Sequence, residues 1–435
     1  MIFFFDALQT INHYYWSYVG WIIITLTGIY ITIHSRGLQF KALFHFRSNI
    51  KQIYAIARDS QADGIHPFKL YFASVGGTVG LGNIVYISVA IMIGGPGSIF
   101  WMILASLSGM LLKYAEIYLG VKYRVKNEQG GFNGGPMYFL QRAFTSKKVA
   151  YVFACLLCFY GVEISNFLII VDRIEYSFDW NRNVIIIVFL AIILYSSLGG
   201  IKRLANICSS IMPFFMGIYV LIACYIIGAN ATYIPSFFKT VCISAFQGHA
   251  PLGGFMGSSM ILAAYMGVSK TVYSGDIGLG YDAIMQSETC IANPKIQAIL
   301  AIYALFTDTI ICILTNTMLG LTGSWYTLNE LAPSDIVAQL LSQYIPYSGF
   351  FMTCLLFFAG YTTIIAYLSV GTKCAEFISP KYGKLIYLIY AVFAFIYFCS
   401  FSQNKVIVIM ELLSGMLVLL NLAGILKLRK EIDFN

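Results

Sequence analysis

Two glycine-rich stretches carry the residues best suited to hold a small charged solute. Ser74-Val75-Gly76-Gly77-Thr78-Val79-Gly80-Leu81-Gly82-Asn83 and Ser274-Gly275-Asp276-Ile277-Gly278-Leu279-Gly280-Tyr281 share an aliphatic-Gly-Leu-Gly core that follows a serine and an earlier glycine. Glycine costs about 1 kcal/mol in a helix interior and adopts dihedrals closed to other residues, so a cluster of them unwinds a helix locally. The N–H groups freed at the start of the next half-helix face an anion such as a carboxylate. Freed carbonyls face a cation. A zwitterionic amino acid and Na⁺ suit such a place together. GxG and GxxxG patterns also serve close helix packing, but two matched stretches argue for binding. Neither is a dinucleotide fingerprint, because no third glycine follows at the right offset and no strand precedes them.

Individual residues sharpen the expectation. Backbone N–H groups of Gly80, Leu81, Gly82 and Asn83 are the expected donors to a substrate carboxylate. Thr78 either adds a hydroxyl donor or bonds back to its own helix. Asn83 either offers its amide oxygen to a cation or pins the unwound turn. Asp276 stands out, because an ionised group at membrane depth costs about 2.5–3.5 kcal/mol or more unless it faces a cavity and finds a partner. Its expected partner is the substrate ammonium, Na⁺ or a backbone N–H, and the plainer alternative is a pair with Lys270. Gly278, Gly280 and Tyr281 complete the expected substrate-binding set. Lys113 and Glu116 read as a mutually paired, snorkelling couple at a helix end, whereas Glu163 and Asp308 are candidate proton-binding carboxylates. The ten cysteines form no disulfide or zinc pattern, and the five histidines lie near span ends or in loops. With neither H-E-x-x-H nor G-x-S-x-G present, an intramembrane enzyme is not expected.

The elements that must position these residues follow from composition. Hydrophobic residues make up 59% of the 435 and charged residues 11%, against about 45–50% and about 25% in soluble domains. Apolar runs of about 20 residues recur, which predicts an all-α polytopic membrane protein rather than a β-barrel. Eleven transmembrane helices are expected, at 15–34, 68–92, 96–121, 149–170, 183–199, 205–228, 253–290, 296–322, 350–372, 384–401 and 406–426. The first reads as a retained span, not a cleaved signal. Segment 231–250 is expected along the membrane surface, and 323–349 as a polar loop with one short helix. With the connector 35–66 placed in the cytoplasm, twenty Lys and Arg fall on that side and four on the other, namely Arg173, Arg182, Lys239 and Lys405. This bias puts the N-terminus outside and the C-terminus inside, and it accounts for the net charge of +8 without nucleic acid. Spans two to six and seven to eleven form two sets of five. An odd number sends the second copy into the bilayer from the opposite side, the inverted repeat of secondary transporters. The expected organisation is an N-terminal span and connector (1–66), a first repeat (67–230), an interfacial connector (231–252), and a second repeat with a cytoplasmic tail (253–435).

At the level of motifs the chain resembles the alanine or glycine:cation symporter family, the sodium:alanine symporter type. The resemblance lies in Gly77-Thr78-Val79-Gly80-Leu81-Gly82-Asn83-Ile84, Gly94-Gly95-Pro96-Gly97, Phe100-Trp101-Met102 and Lys113-Tyr114-Ala115-Glu116. It continues in Val121-Lys122-Tyr123-Arg124, Gly134-Gly135-Pro136-Met137-Tyr138 and Gly199-Gly200-Ile201-Lys202-Arg203. It runs from about Phe68 to about Leu420. The resemblance implies Na⁺-coupled, in some members proton-coupled, uptake of small neutral amino acids such as alanine or glycine through the cell membrane, a bacterial inner membrane. It also implies a leucine-transporter-type 5+5 inverted repeat with one extra N-terminal helix, and Na⁺ as coupling ion with no other cofactor. In that fold, hydroxyls at the place of Thr362 and Thr363 hold a sodium ion with carbonyls of the first unwound segment, here Gly76 and Val79. The expected partners are the amino acid, Na⁺ and the lipid bilayer. In the seventh span the family reads Phe-Ser-Asn-Glu-Ala-Gly-Leu-Gly-Ser-Ala-Pro. Here Asp276 shortens the glutamate and Tyr281 replaces a small serine, and the family's Gln motif in the fourth span is not recognisable around Glu163 and Asn166. These departures leave open a proton-coupled or different-substrate carrier, and a sensor that binds without transport.

Overall fold

In the computed structural model, the chain is described at residues 2–59, 63–127, 130–247, 260–328 and 333–434. Nearly all of it is helix. Helix α1 (Ile2–Tyr15) runs through a π turn into α2 (Trp21–His34), and two short helices, α3 (Leu38–Phe44) and α4 (Phe46–Asp59), fill the connector that follows. Helix α5 (Pro67–Thr78) begins with Pro67 at its first position, where no N–H is needed. It breaks before a π turn (Gly82–Tyr86) and α6 (Ile87–Gly94). Next come α7 (Ser98–Lys122), a two-stranded ribbon of β1 (Val125–Lys126) and β2 (Phe132–Asn133), α8 (Pro136–Phe144), α9 (Lys147–Tyr160) and α10 (Ile164–Phe178). Helices α11 (Arg182–Ser197), α12 (Gly200–Ala229) and α13 (Ile234–Gln247) close the first half.

The second half also begins with a broken helix. Helix α14 (Met260–Ser274) breaks and resumes as α15 (Tyr281–Gln286). Helix α16 (Pro294–Leu321) starts on Asn293, whose side-chain oxygen accepts from the Lys295 N–H. The short α17 (Ser324–Thr327) and α18 (Pro333–Ser342) occupy the expected polar loop, which therefore holds two helices, not one. Helices α19 (Ser348–Ile378), α20 (Gly383–Phe398) and α21 (Gln403–Lys427) complete the chain.

Among the described residues seven helical stretches are long and apolar enough to cross a membrane, and the α5–α6 pair, bent by 46°, makes an eighth. Helices α11 and α20 are shorter apolar helices. The stretches Ser98–Lys122, Lys147–Phe178 and Ser348–Ile378 are mostly buried. Helix α12 instead shows Phe214, Leu221 and Tyr225 on an exposed apolar face, as a lipid-facing helix does. Around the centre α7 packs on α16, α14 and α2, while α5 lies against α12 and α19.

One expectation is corrected and two are located. The fourth span, expected continuous over 149–170, is broken between α9 and α10, where Glu163 takes a left-handed φ of 53°. The seventh, expected over 253–290 with a glycine-rich interruption, is interrupted after Ser274 as expected, and its positions 253–259 lie outside the described residues. The surface segment 231–250, described to Gln247, presses one face onto α7 and α14, with Phe237, Val241 and Ala245 buried and the Trp101 indole donating to the Ala245 carbonyl at 3.0 Å.

The approach of α2 to α7 depends on Gly28. A Cβ there would stand 2.5 Å from Ser108 Cβ and 3.0 Å from the Ser108 carbonyl oxygen. Overpacking of this kind costs about 1–3 kcal/mol. Gly28→Ala is therefore expected to lower the thermal unfolding midpoint of the detergent-solubilised protein. Gly217→Ala, in open space on α12, should not. Equal midpoints for the two variants would refute the close α2–α7 contact.

Candidate functional site

The first break is held open by one side chain. Val79 leaves the helix in an extended conformation while its N–H still bonds the Val75 carbonyl at 2.7 Å. The next N–H, of Gly80, donates to Asn83 Oδ1 at 3.0 Å. Asn83 Nδ2 in turn donates to Asp308 Oδ1 at 2.6 Å, and Thr315 Oγ1 donates to the Asn83 carbonyl at 2.8 Å. Asn83 thus pins the turn against α16, the second of its two expected uses. Its amide oxygen and the Gly80 N–H satisfy each other, and neither is left for a ligand.

The second break is held from two other helices. Asp276, Gly278 and Gly280 all have left-handed φ, at 51°, 77° and 85°. The Gly278 carbonyl accepts from Asn421 Nδ2 at 2.8 Å, and the Gly280 N–H donates to Glu116 Oε2 at 3.2 Å. The same Glu116 oxygen accepts from Asn421 Nδ2 at 2.7 Å. Backbone polar groups unwound inside a membrane protein must find partners of this kind. The two breaks touch: a Cβ on Gly82 would lie 3.0 Å from the Ser274 Cα.

Between the breaks lies a narrow cavity with a volume of about 20 Å³. Gly77, Thr78 and Gly82 line it from the first break, Ser274 and Asp276 from the second, and Glu163 and Asn166 from the third. Thr363 of α19 and four tyrosines, Tyr86, Tyr160, Tyr273 and Tyr367, complete the wall. Asp276 is 3% exposed, and its Oδ2 accepts no hydrogen bond. Lys270 does not neutralise it, since that ammonium pairs with Glu411 at 2.5 Å. Glu163 Oε2 accepts from Asn166 Nδ2 at 2.9 Å. The Thr363 hydroxyl donates to the Ala359 carbonyl at 3.1 Å and reaches the Gly76 carbonyl at 3.4 Å, while Thr78 bonds back to Ser74 at 3.2 Å.

Of the expected site residues, Thr78, Gly82, Asp276 and Thr363 line this space. Gly76, Val79, Gly80 and Leu81 shape the break next to it, and Asn83, Gly278 and Gly280 are engaged in the bonds that hold the breaks open. Tyr281 lies one layer out, its ring stacked 4.2 Å from Tyr367 and its hydroxyl donating to the Ala73 carbonyl at 3.3 Å. The Thr362 hydroxyl turns to its own helix at Phe358 and Ala359 and toward the Met212 sulfur.

Sequence reasoning missed two features. Glu163 and the four wall tyrosines were not expected together. The available signal was a lone carboxylate just after Gly161 in an apolar run. Lys113 and Glu116 are not a snorkelling pair, because both are fully buried. Lys113 forms an ion pair with Asp282 of α15, and the other Asp282 oxygen accepts from Ser74 of α5. Nearer that end of the bundle, the Arg124 guanidinium donates to the carbonyls of Ser287, Thr289 and Ile291 at 2.9, 2.6 and 3.0 Å. Lys373 pairs with Glu288 at 2.5 Å, and Ile65 bridges to Thr289. These contacts form a polar layer that ties α15 and the segment after it to α5, α7 and α19.

The sequence profile of the sodium:alanine symporter family matches residues 1–433. An uncharacterized transporter of Haemophilus influenzae is 30% identical over 98% of this chain and 94% of its own length. A sodium/alanine symporter, AgcS, of Methanococcus maripaludis is 28% identical over 98% of this chain and 95% of its own. Among solved structures, MhsT in complex with L-phenylalanine superimposes with a TM-score of 0.60 at 16% identity, covering 84% of this chain and 88% of that one.

The buried Lys113–Asp282 pair gives a direct test of the polar layer. Removing one partner of a buried ion pair costs about 3–5 kcal/mol, whereas replacing both by apolar groups is often near neutral. Lys113→Met is expected to lower the thermal midpoint sharply, and Lys113→Met with Asp282→Leu to recover most of the loss. Equal midpoints in the single and double variants would show that the two charges are not coupled.

Proposed function

The chain belongs to the sodium:alanine symporter family, and from that premise we propose that the cavity between the helix breaks is where an amino acid and Na⁺ bind together for alternating-access symport into the cell. The family is one of transporters, not enzymes, and the fold is shared with solved transporters. The observation that carries the reading is Asp276, a buried carboxylate with an unpaired oxygen aimed into a cavity where two broken helices meet. A substrate ammonium answers that oxygen. The substrate carboxylate then faces the start of the half-helix Gly82–Gly94, where the N–H groups of Leu81 and Gly82 follow the one taken by Asn83, with the Thr78 hydroxyl beside them.

Na⁺ prefers hard oxygen ligands. The Gly76 and Val79 carbonyls with the Thr363 hydroxyl supply them at the edge of the cavity, and Thr362 joins them after a turn about its side-chain bond. Eleven spans, counting the α14–α15 pair, α11 and α20, arrange as an N-terminal span followed by two inverted sets of five. The excess of Lys and Arg at the Arg124 end supports a cytoplasmic position for it. Release to that side requires α5 and α15 to part from α7, and hence the Ser74–Asp282–Lys113 contacts and the Arg124 clamp to open. Small neutral amino acids such as alanine and glycine are the substrate class supported by the resemblance and by the name of the Methanococcus relative.

In proteoliposomes, replacing Na⁺ by choline is expected to abolish amino-acid uptake, and Asp276→Asn to abolish it in Na⁺. Thr363→Ala should raise the Na⁺ concentration for half-maximal uptake at least tenfold. Uptake that continues in choline would refute Na⁺ coupling, and unchanged uptake in Asp276→Asn would remove that residue from the site.

A further inference from the structure

The charges facing the cavity do not balance for a neutral substrate. Glu163 and Asp276 line it, and among the described residues no Lys, Arg or His does. The other carboxylates nearby, Asp282, Asp308 and Glu116, do not line it: Asp282 pairs with Lys113, and Asp308 and Glu116 are bonded by Asn83 and Asn421, as Glu163 is by Asn166. A zwitterion adds no net charge, and one Na⁺ adds a single positive charge. One of the two lining carboxylates then either takes up a proton or meets a second cation, because an ionised group left buried without a counter-charge is costly.

The rest of the wall suits an organic cation. The rings of Tyr86, Tyr160, Tyr273 and Tyr367 surround the space, and aromatic faces attract ammonium and guanidinium groups. Besides Asp276 Oδ2, the buried Asn166 Oδ1 lacks a hydrogen-bond partner. Both are acceptors for a ligand's N–H groups. Glu163 holds its place in a left-handed backbone conformation, φ 53°, a strained state for a residue with a side chain.

We propose that the amino acid carried at this site has a positively charged side chain, of the lysine, ornithine or arginine kind, with Glu163 binding the side-chain cation and Asp276 the α-ammonium. Its net charge of +1, added to that of one Na⁺, matches the two lining carboxylates. The inference rests on the symport reading above and replaces the small neutral side chain in it.

The test uses the full-length protein in proteoliposomes under an inward Na⁺ gradient, with radiolabelled L-lysine, L-ornithine and L-alanine. Lysine or ornithine is expected to give half-maximal uptake at a concentration at least tenfold below that of alanine. Glu163→Gln should weaken the cationic substrate at least tenfold while improving norleucine, its uncharged counterpart, and Glu163→Asp should keep the wild-type order. Na⁺-dependent thermal stabilisation by each amino acid reads binding where flux is lost, and the wild-type order decides the matter if Glu163→Gln does not fold. Alanine uptake that neither lysine, ornithine nor arginine inhibits would overturn this inference and leave symport standing. So would a lysine-to-norleucine ratio unchanged in Glu163→Gln. No Na⁺-dependent uptake or stabilisation by any amino acid would overturn the symport reading itself.

Discussion

A broken helix inside a bilayer is tolerated only if protein replaces the backbone hydrogen bonds that the helix gave up. Everything at the centre of this molecule answers that demand. Asn83 takes the Gly80 N–H and hands its own amide to Asp308. Glu116 and Asn421 take the Gly280 N–H and the Gly278 carbonyl. The supports come from α16, α7 and α21, so each break is fixed by helices distant in sequence. Because these side chains are committed to the backbone, the groups left facing the cavity are few: the Asp276 and Glu163 carboxylates, the Asn166 amide, the Thr78 and Thr363 hydroxyls, and the tyrosines.

The same polar groups couple the breaks to each other. Asp282 follows the second break and bonds to Ser74 before the first, while Lys113 on α7 neutralises it. Buried charges are poor sources of net stability but strict about geometry, since a separated partner is left charged in a low-dielectric interior. Helices α5 and α15 therefore cannot leave α7 one at a time without exposing or stranding a charge. A pair of half-helices that must move together is what opening toward one side of a membrane needs.

How much of this was legible from sequence depends on how local the cause is. The breaks at 76–83 and 274–281 were visible because glycine clusters act on their own backbone. The motif from Gly77 to Ile84 led to the same family that the profile match shows. The third break was not visible, because a single Gly161 before Glu163 looks like any helix glycine, and the strain at Glu163 is imposed by packing. Lys113 and Glu116 were misread for a related reason. Three residues apart on one helix, they satisfy a local pairing rule, but their partners lie on α15 and α21, and only the assembled bundle brings those within reach. Tertiary partners of buried charges carry no short-range signature.

Tyr281 shows how a departure from the family pattern is absorbed by the packing rather than by the site. A side chain at Gly77 would run into the Tyr281 hydroxyl, so glycine there is required for the approach of a ring as well as for any freedom of its own backbone. That ring in turn stacks on Tyr367, a wall of the cavity, and its hydroxyl rests on the Ala73 carbonyl of α5. The bulk at position 281 therefore stiffens the wall from behind and leaves the binding surface itself unchanged in charge. Glu163 does the reverse. It adds little bulk but places a second carboxylate inside the wall, and in an enclosed, weakly screened space one charge outweighs a change of shape. Under the proposed assignment, selectivity is set more by Glu163 than by Tyr281, although Tyr281 is the more conspicuous difference in the sequence.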